Sequence, residues 1–371
     1  MIELTARQAV RLALTDGVGP VTARKMLETF GSAEALFAAP ADDLERVPGV
    51  GRTKARRFAA WPTDEEVDEE LALAARHGAR VVGFDDDEYP AHLRDIADAP
   101  LVLYVRGELT ETDGLAVALV GSRRASVYGT KVAARLARQL AGLGMTVVSG
   151  MALGIDTAAH RGALEAGGRT VAVLGTGLAA IYPRENTELS DRIAGQGAVI
   201  SEFPMRTTAS PGDFPRRNRV VSGMTLGTVV VEAGKRSGAL ITARVAGEQG
   251  REVFAVPGKI DMPTFAGCHA LIKDGARLVE DVSDIVAELG PMSREVDTGE
   301  DRVTTPQSLV LNEREQVVYQ CLSSDPVSID EIISGTGLPA PAVSSVLLIL
   351  EVRKLVNQLP GKRFVRSQLM T

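Results

Sequence analysis

Three arginines and an asparagine fall on four consecutive positions, Arg216, Arg217, Asn218 and Arg219, inside the stretch FPRRNRVVSG that opens with Phe214. Asp213 is the one acid close by. Two other stretches share this character. In GSRRAS, Arg123 and Arg124 directly follow Gly121 and Ser122, and in GKRSGAL, Lys235 and Arg236 stand between Gly234 and the pair Ser237-Gly238. Glycine lets the backbone come close to a phosphate and aim N–H groups at it, while guanidinium and ammonium groups supply charge. The chemistry on offer is therefore anion binding. A plainer outcome stands beside it: Arg217 or Arg219 pairs internally with Glu202, Asp213 or Glu232, so that at least one of the three arginines is structural.

Other chemistries find less support. There is no G-x-x-x-x-G-K-[ST] run for a triphosphate. The first strand of the α/β region is followed by GSRRAS rather than G-x-G-x-x-G, and no acid ends the next strand to hold a ribose. Ser149, Ser201 and Ser222 have no evident base, as nucleophilic catalysis would require. Asp156 and His160 stand at i, i+4 spacing, but helix capping by the aspartate and local bonding by the histidine account for them. Glu232 and Lys235 read equally well as a simple ion pair. The four histidines and two cysteines (Cys268, Cys321) show no metal-ligand spacing and no disulfide framework, so neither metal nor cofactor is expected.

The elements that must carry these loops are clear. LAVALVGS, MTVVSG, RTVAVLG, GAVISEF, GTVVVEA and REVFAVPG are apolar strand runs separated by helical stretches, such as Tyr128 to Gly142 and Ile155 to Ala166. ARVVGF and LVLYVRG precede them as two more strands. Such alternation predicts an α/β fold with a doubly wound, Rossmann-like, mostly parallel sheet buried on both faces. Ligands in these sheets sit beyond the carboxyl ends of the strands, at the point where strand order reverses. The glycine-rich and basic segments all follow strands, including GMALGID with Gly150 and Gly154, and so converge on one edge. A cradle spread over several loops suits a phosphate backbone longer than a nucleotide. Single-strand binders usually add stacking, and with only 4% aromatic residues the chain offers Tyr128, Phe203 and Phe214 in the relevant loops.

The ends are separate modules. DGVGPVTARKML and VPGVGRTKARRF within residues 1–62 repeat a Gly-Val-Gly turn before a helix, the signature of a small all-α helix-hairpin-helix (SAM-like) domain. Residues 63–289 form the extended Rossmann-like domain. The polar segment 290–306 reads as a linker. Residues 307–371 hold three helices and a closing hairpin, NQLPGKRFVR, as in a winged helix-turn-helix domain, with Ser328 and Asp330 providing N-cap chemistry. That last domain is neutral, so contact with a protein is as good an expectation as contact with duplex DNA. The formal net charge is −7, yet residues 61–98 alone hold 12 acids against 3 bases. A basic site elsewhere survives this, because charge is screened over about 8 Å. No secretory segment or membrane span is evident, and a cytoplasmic protein is expected.

The run YPAHLRDIADAPLVLYVRG, followed in order by GSRRAS, SGMALGIDTAAHRGAL, IYPREN, SEFP, FPRRNRVVSGM, VVEAGKRSGALITA, VFAVPG and LIKDGA, closely resembles the bacterial DNA-processing protein A family over residues 80–290. The resemblance implies a single-stranded DNA-binding protein that protects incoming DNA and loads a RecA-type recombinase during transformation, works as a homodimer and is not an enzyme. It implies DNA contact by Gly121, Ser122, Arg123, Phe214, Arg216, Arg217, Asn218, Arg219, Lys235, Arg236, Ser237 and Gly238, to which the reading of the strand-end loops adds Arg124 and Gly150. His269 departs from the pattern, occupying the place of an asparagine in G-x-N-x-L-I. An alternative is a nucleoside monophosphate phosphoribohydrolase, whose P-G-G-x-G-T-x-x-E signature GMTLGTVVVEAG partly resembles; there Glu232 would be essential.

Overall fold

The computed structural model describes residues 4–289, 313–323, 325–352, 355–359 and 361–366. The chain divides into two units, Met1–Leu278 and Val279–Thr371.

In the first unit, short helices at Ala6–Leu14, Pro20–Phe30, Ala33–Ala38, Ala41–Leu44 and Arg52–Phe58 form the expected tandem of hairpins. Leu12, Met26, Leu36, Leu44 and Phe58 are fully buried among them. Gly17 (φ +83°) and Gly49 (φ +89°) make the two turns in a left-handed conformation that other residues adopt at a cost. Thr63 then caps the helix Asp64–Arg76 through a reciprocal box with Glu66. The apolar faces of these helices merge with Val102, Tyr104 and Met205 in one core, and Arg24 donates to the carbonyls of Ala97 (2.9 Å) and Ala99 (3.2 Å).

The sheet has nine strands: β1 Ala79–Gly83, β2 Val102–Gly107, β3 Ala116–Gly121, β4 Thr146–Ser149, β5 Thr170–Val173, β6 Ala198–Ser201, β7 Gly227–Glu232, β8 Glu252–Ala255 and β9 Arg277–Leu278. Their order is β1-β2-β6-β5-β4-β3-β7-β8-β9. β1–β2 and β2–β6 pair antiparallel, and every other neighbouring pair is parallel. β3 to β7 are buried along almost their whole length, which explains their continuous apolar sequences. From β3 the chain winds outward to β6, then returns through the helix Asp213–Gly223 to lay β7 on the other side of β3. Strand order therefore reverses between β3 and β7, and a crevice opens beyond their carboxyl ends.

The second unit contains helices Val282–Leu289, Glu313–Gln320, Ile329–Thr336 and Ala340–Val352, with strands β10 Val327–Ser328, β11 Val356–Leu359 and β12 Arg363–Arg366 in the order β10-β12-β11. Val318, Ile332, Leu347, Leu350, Val356 and Phe364 form its core. Ser328 caps the helix Ile329–Thr336 in a reciprocal box with Glu331, while Asp330 sits in the first turn. This is the winged helix. The linker expected at 290–306 lies outside the described residues. Among the described residues, no single helix is long and apolar enough to cross a membrane.

Candidate functional site

An open cleft of ≈ 1020 Å³ lies at the carboxyl edge where strand order reverses. Its walls are the segments after β3 (Gly121 to Arg124), β4 (Gly150, Ala152, Asp156), β6 (Phe214, Arg217, Asn218) and β7 (Gly234, Arg236, Ser237, Gly238). Segments separated by more than a hundred residues in sequence are brought together because parallel strands place all their following loops on one edge.

The turn after β3 is held by the main chain. Ser122 N donates to Glu232 O (2.8 Å), Ser122 O accepts from Ile155 N (3.2 Å), and Ser122 Oγ accepts from Arg124 N (3.1 Å). Gly154, with φ +81°, lies so close to Ser122 O that a Cβ has no room. Arg123 then projects with its guanidinium carbon 4.6 Å from the centre of the Phe214 ring, and the Tyr182 ring, tilted by 50°, packs against the same ring at 5.9 Å. A cation held by an aromatic face stays charged and oriented while its N–H groups remain open to an anion. After β7, Ser237 N donates to Gly234 O (3.0 Å), and the helix Ala239–Glu248 begins at Gly238 with its N-terminus beside Arg236. Its positive dipole end adds to the local field.

Arg217 forms the floor. It is buried, and Nη1 donates to the carbonyls of Gly150 and Val173, while Nε donates to Asn218 Oδ1 (3.2 Å). Burial pushes the guanidinium down to about 10, partly offset by Asp156. Asp156 is raised by burial, opposed by Arg217, and its Oδ2 accepts from Ala152 N (3.1 Å). Its role is thus to pin the loop before the helix Ile155–Glu165, whose N-cap is Gly154. His160 lies deeper: burial pushes it down to about 3. Thr170 Oγ1 donates to Val147 O (2.6 Å) and so accepts from His160 Nδ1 (2.7 Å).

Two of the three arginines that drew attention in sequence stand outside the cleft. Arg219 is buried against Glu202 and, at 3.3 Å, Asp98. Arg216 turns to the opposite side, 4.9 Å from the Phe203 ring and 3.8 Å from Asp213, where it lines a smaller cavity of ≈ 270 Å³ with the first hairpin turn. Lys235 is exposed beside the cleft and does not line it. The remaining expected residues, Gly121, Ser122, Arg123, Arg124, Gly150, Phe214, Arg217, Asn218, Arg236, Ser237 and Gly238, all line it. Tyr182 is an addition; it follows β5 in IYPREN, and its position after a strand was the available signal. Asn186 of the same motif donates to Met151 O and Thr157 Oγ1, both at 2.8 Å, and holds the β4 loop.

Glu232 does not pair with Lys235. It is fully buried, and its carboxylate accepts from Ser126 N (3.1 Å) and Oγ (2.5 Å) at the start of the helix Val127–Gly142. His269 bonds to Gly258 O through Nε2 (3.0 Å), so the departure from asparagine keeps a main-chain contact. Among the described residues, no cluster of histidine, cysteine and carboxylate side chains could hold a metal ion.

Comparison with known proteins matches residues 80–290 to the family described as DNA recombination-mediator protein A. The chain belongs to that family. Residues 303–362 match the DprA winged helix domain, and residues 11–58 match a SAM-like helix-hairpin-helix tandem. Relatives of this family member include a putative DNA processing protein DprA of Mycobacterium tuberculosis, 40% identical over 88% of this chain and 87% of the relative. Protein Smf of Escherichia coli is 37% identical over 84% of each chain. The crystal structure of DNA processing protein A from Streptococcus pneumoniae superposes with a TM-score of 0.67 at 35% identity, covering 77% of this chain and 99% of that one. DNA processing protein A from Helicobacter pylori, whose structure is described as giving insight into its single-stranded DNA binding mode, covers 57% of this chain and 97% of its own, with a TM-score of 0.52 and 28% identity.

Proposed function

We propose that this protein binds single-stranded DNA in the carboxyl-edge cleft, protects it, and helps load a RecA-type recombinase during natural transformation, acting as a homodimer without breaking a covalent bond. The observation that carries the reading is the convergence of Arg123, Arg124, Arg236 and two glycine-bearing turns on one cleft, with the buried Asp156 the single carboxylate among its lining residues. Such a surface suits a chain of phosphates. Phe214 and Tyr182 offer ring faces beside it. Membership of the recombination-mediator family supports the same reading. Gly121 to Arg124, Asn218 and Arg236 to Gly238 meet the strand, with Lys235 adding charge beside the cleft, Phe214 orients Arg123, and Arg217 with Gly150 shapes the floor. The phosphoribohydrolase alternative fares worse: Glu232, on which it depends, is sealed beneath Ser126 and does not line the cleft.

The test is a salt titration of the full chain against single-stranded and duplex oligonucleotides of matched length. Single strands are expected to bind in preference. Arg123→Ala and Arg236→Ala should each weaken all sequences alike and lower the slope of log K against log salt by about 0.7. A preference for duplex, or unchanged slopes in both variants, overturns the assignment of the cleft.

A further inference from the structure

Resting on the single-strand reading, the apolar rim of the cleft deepens it. Ten large apolar side chains are exposed among the described residues, and seven of them lie on connections that leave the carboxyl edge of the sheet. Val127 and Tyr128 follow β3, Leu153 follows β4, Tyr182 follows β5, Ile241 follows β7, and Ile260 and Met262 follow β8. Isolated exposed apolar residues are ordinary. Most of the ten thus lie on the edge that carries the basic cleft, and Tyr182 and Ile241 line it, a pattern suited to a ligand with both charged and apolar parts.

The loop Gly258–Thr264 shows this most clearly. Its base is fixed: Pro257 O accepts from Tyr128 Oη (3.3 Å), Gly258 O accepts from His269 Nε2 (3.0 Å), and Tyr128 packs edge-on to Phe265 at 5.6 Å. Its far end, Pro263 and Thr264, lines the cleft. Between them Ile260 is 96% exposed and Met262 37% exposed. Lys259 and Asp261 flank Ile260 with opposite charges, so the tip carries no net charge to offer a phosphate. An anchored loop that holds an uncharged, apolar tip beside an anion cradle is suited to the other half of a nucleotide.

We infer that the loop Gly258–Thr264 is a base-contacting wall: Ile260, supported by Met262, lies against the bases of the strand whose phosphates are held by Arg123, Arg124 and Arg236. Contact of this kind is independent of sequence, because every base presents an apolar face. It is also insensitive to salt, because it releases no counterions.

The experiment compares a single strand with an abasic strand of equal length, which keeps every phosphate and lacks the bases. Ile260→Ser is chosen because the side chain touches little in the folded protein, so folding is not at stake. It is expected to weaken binding of the base-bearing strand roughly tenfold, equivalent to leaving about half an isoleucine in water, with no change in salt slope and no further loss on the abasic strand. Equal weakening on both strands, or wild-type affinity for the base-bearing strand, overturns the inference. So does loss of self-association in sedimentation with the base dependence intact, which would make the loop a contact between copies. Unchanged salt slope in Arg236→Ala tells against the cleft itself, a separate failure; absence of any single-strand binding overturns both.

Discussion

Arg219 is the arginine whose sequence context says DNA and whose surroundings say stability. Its side chain is 8% exposed and that of Glu202 is 5% exposed, with Asp98 completing the group at 43%. Truncation in Arg219→Met strands the Glu202 carboxylate in a site that already raises its pKa through burial. Breaking a buried pair from one side costs about 3–5 kcal/mol, whereas replacing both partners with apolar groups is close to neutral. Arg219→Met is therefore expected to lower the unfolding free energy of the sheet domain, read by urea titration, by that amount, and Arg219→Met with Glu202→Leu to recover most of it. The pH dependence carries a sign. In the single variant the unpaired Glu202 takes up a proton more readily folded than unfolded, so its deficit shrinks as pH falls through the raised folded pKa toward the ordinary carboxylate value. Circular dichroism at two pH values reads the stability, and the salt titration described above reads DNA binding. Wild-type stability combined with a reduced salt slope would refute the reasoning and return Arg219 to the DNA.

Two other outcomes are expected. Gly150→Ala drives a methyl group into the Arg217 guanidinium and should cost roughly 1–3 kcal/mol; a thermal scan with no loss would show that the floor of the cleft can yield. His160, held down to about 3 by burial, binds fewer protons folded than unfolded, so the wild type should lose stability as pH falls through about 6.5. His160→Gln should flatten that slope by up to about 1.4 kcal/mol per pH unit, and a slope equal to the wild type's would place the titration elsewhere.

How much of this could be seen in advance differs from element to element. The strands were legible because β3 to β7 are buried on both faces and read as unbroken apolar runs. The hairpins were legible because left-handed turns call for glycine at fixed places, such as Gly17 and Gly49. The cleft was legible in outline, since whatever follows a parallel strand reaches the same edge. Tyr182 was not selected, because the stretch that leads from β5 to it, LGTGLAAIY, holds no charged residue to mark it. The loop after β8 gave no sign either: Ile260 is apolar in sequence, and only the fold shows that it is left outside.

The sequence by itself therefore determined the sheet, its modules and the set of loops from which a binding site had to be drawn. What only the tertiary structure decided was the direction of each side chain within that set. In the helix Asp213–Gly223, steps of about 100° per residue put Phe214, Arg217, Asn218 and Val221 on the stripe that faces the cleft, while Arg216 and Arg219 fall on other faces. The rotation of a helix is set by what packs against it. Here Glu202, Asp98 and Phe203, distant in sequence from some of these arginines, fix that rotation and take two of the three charges for themselves.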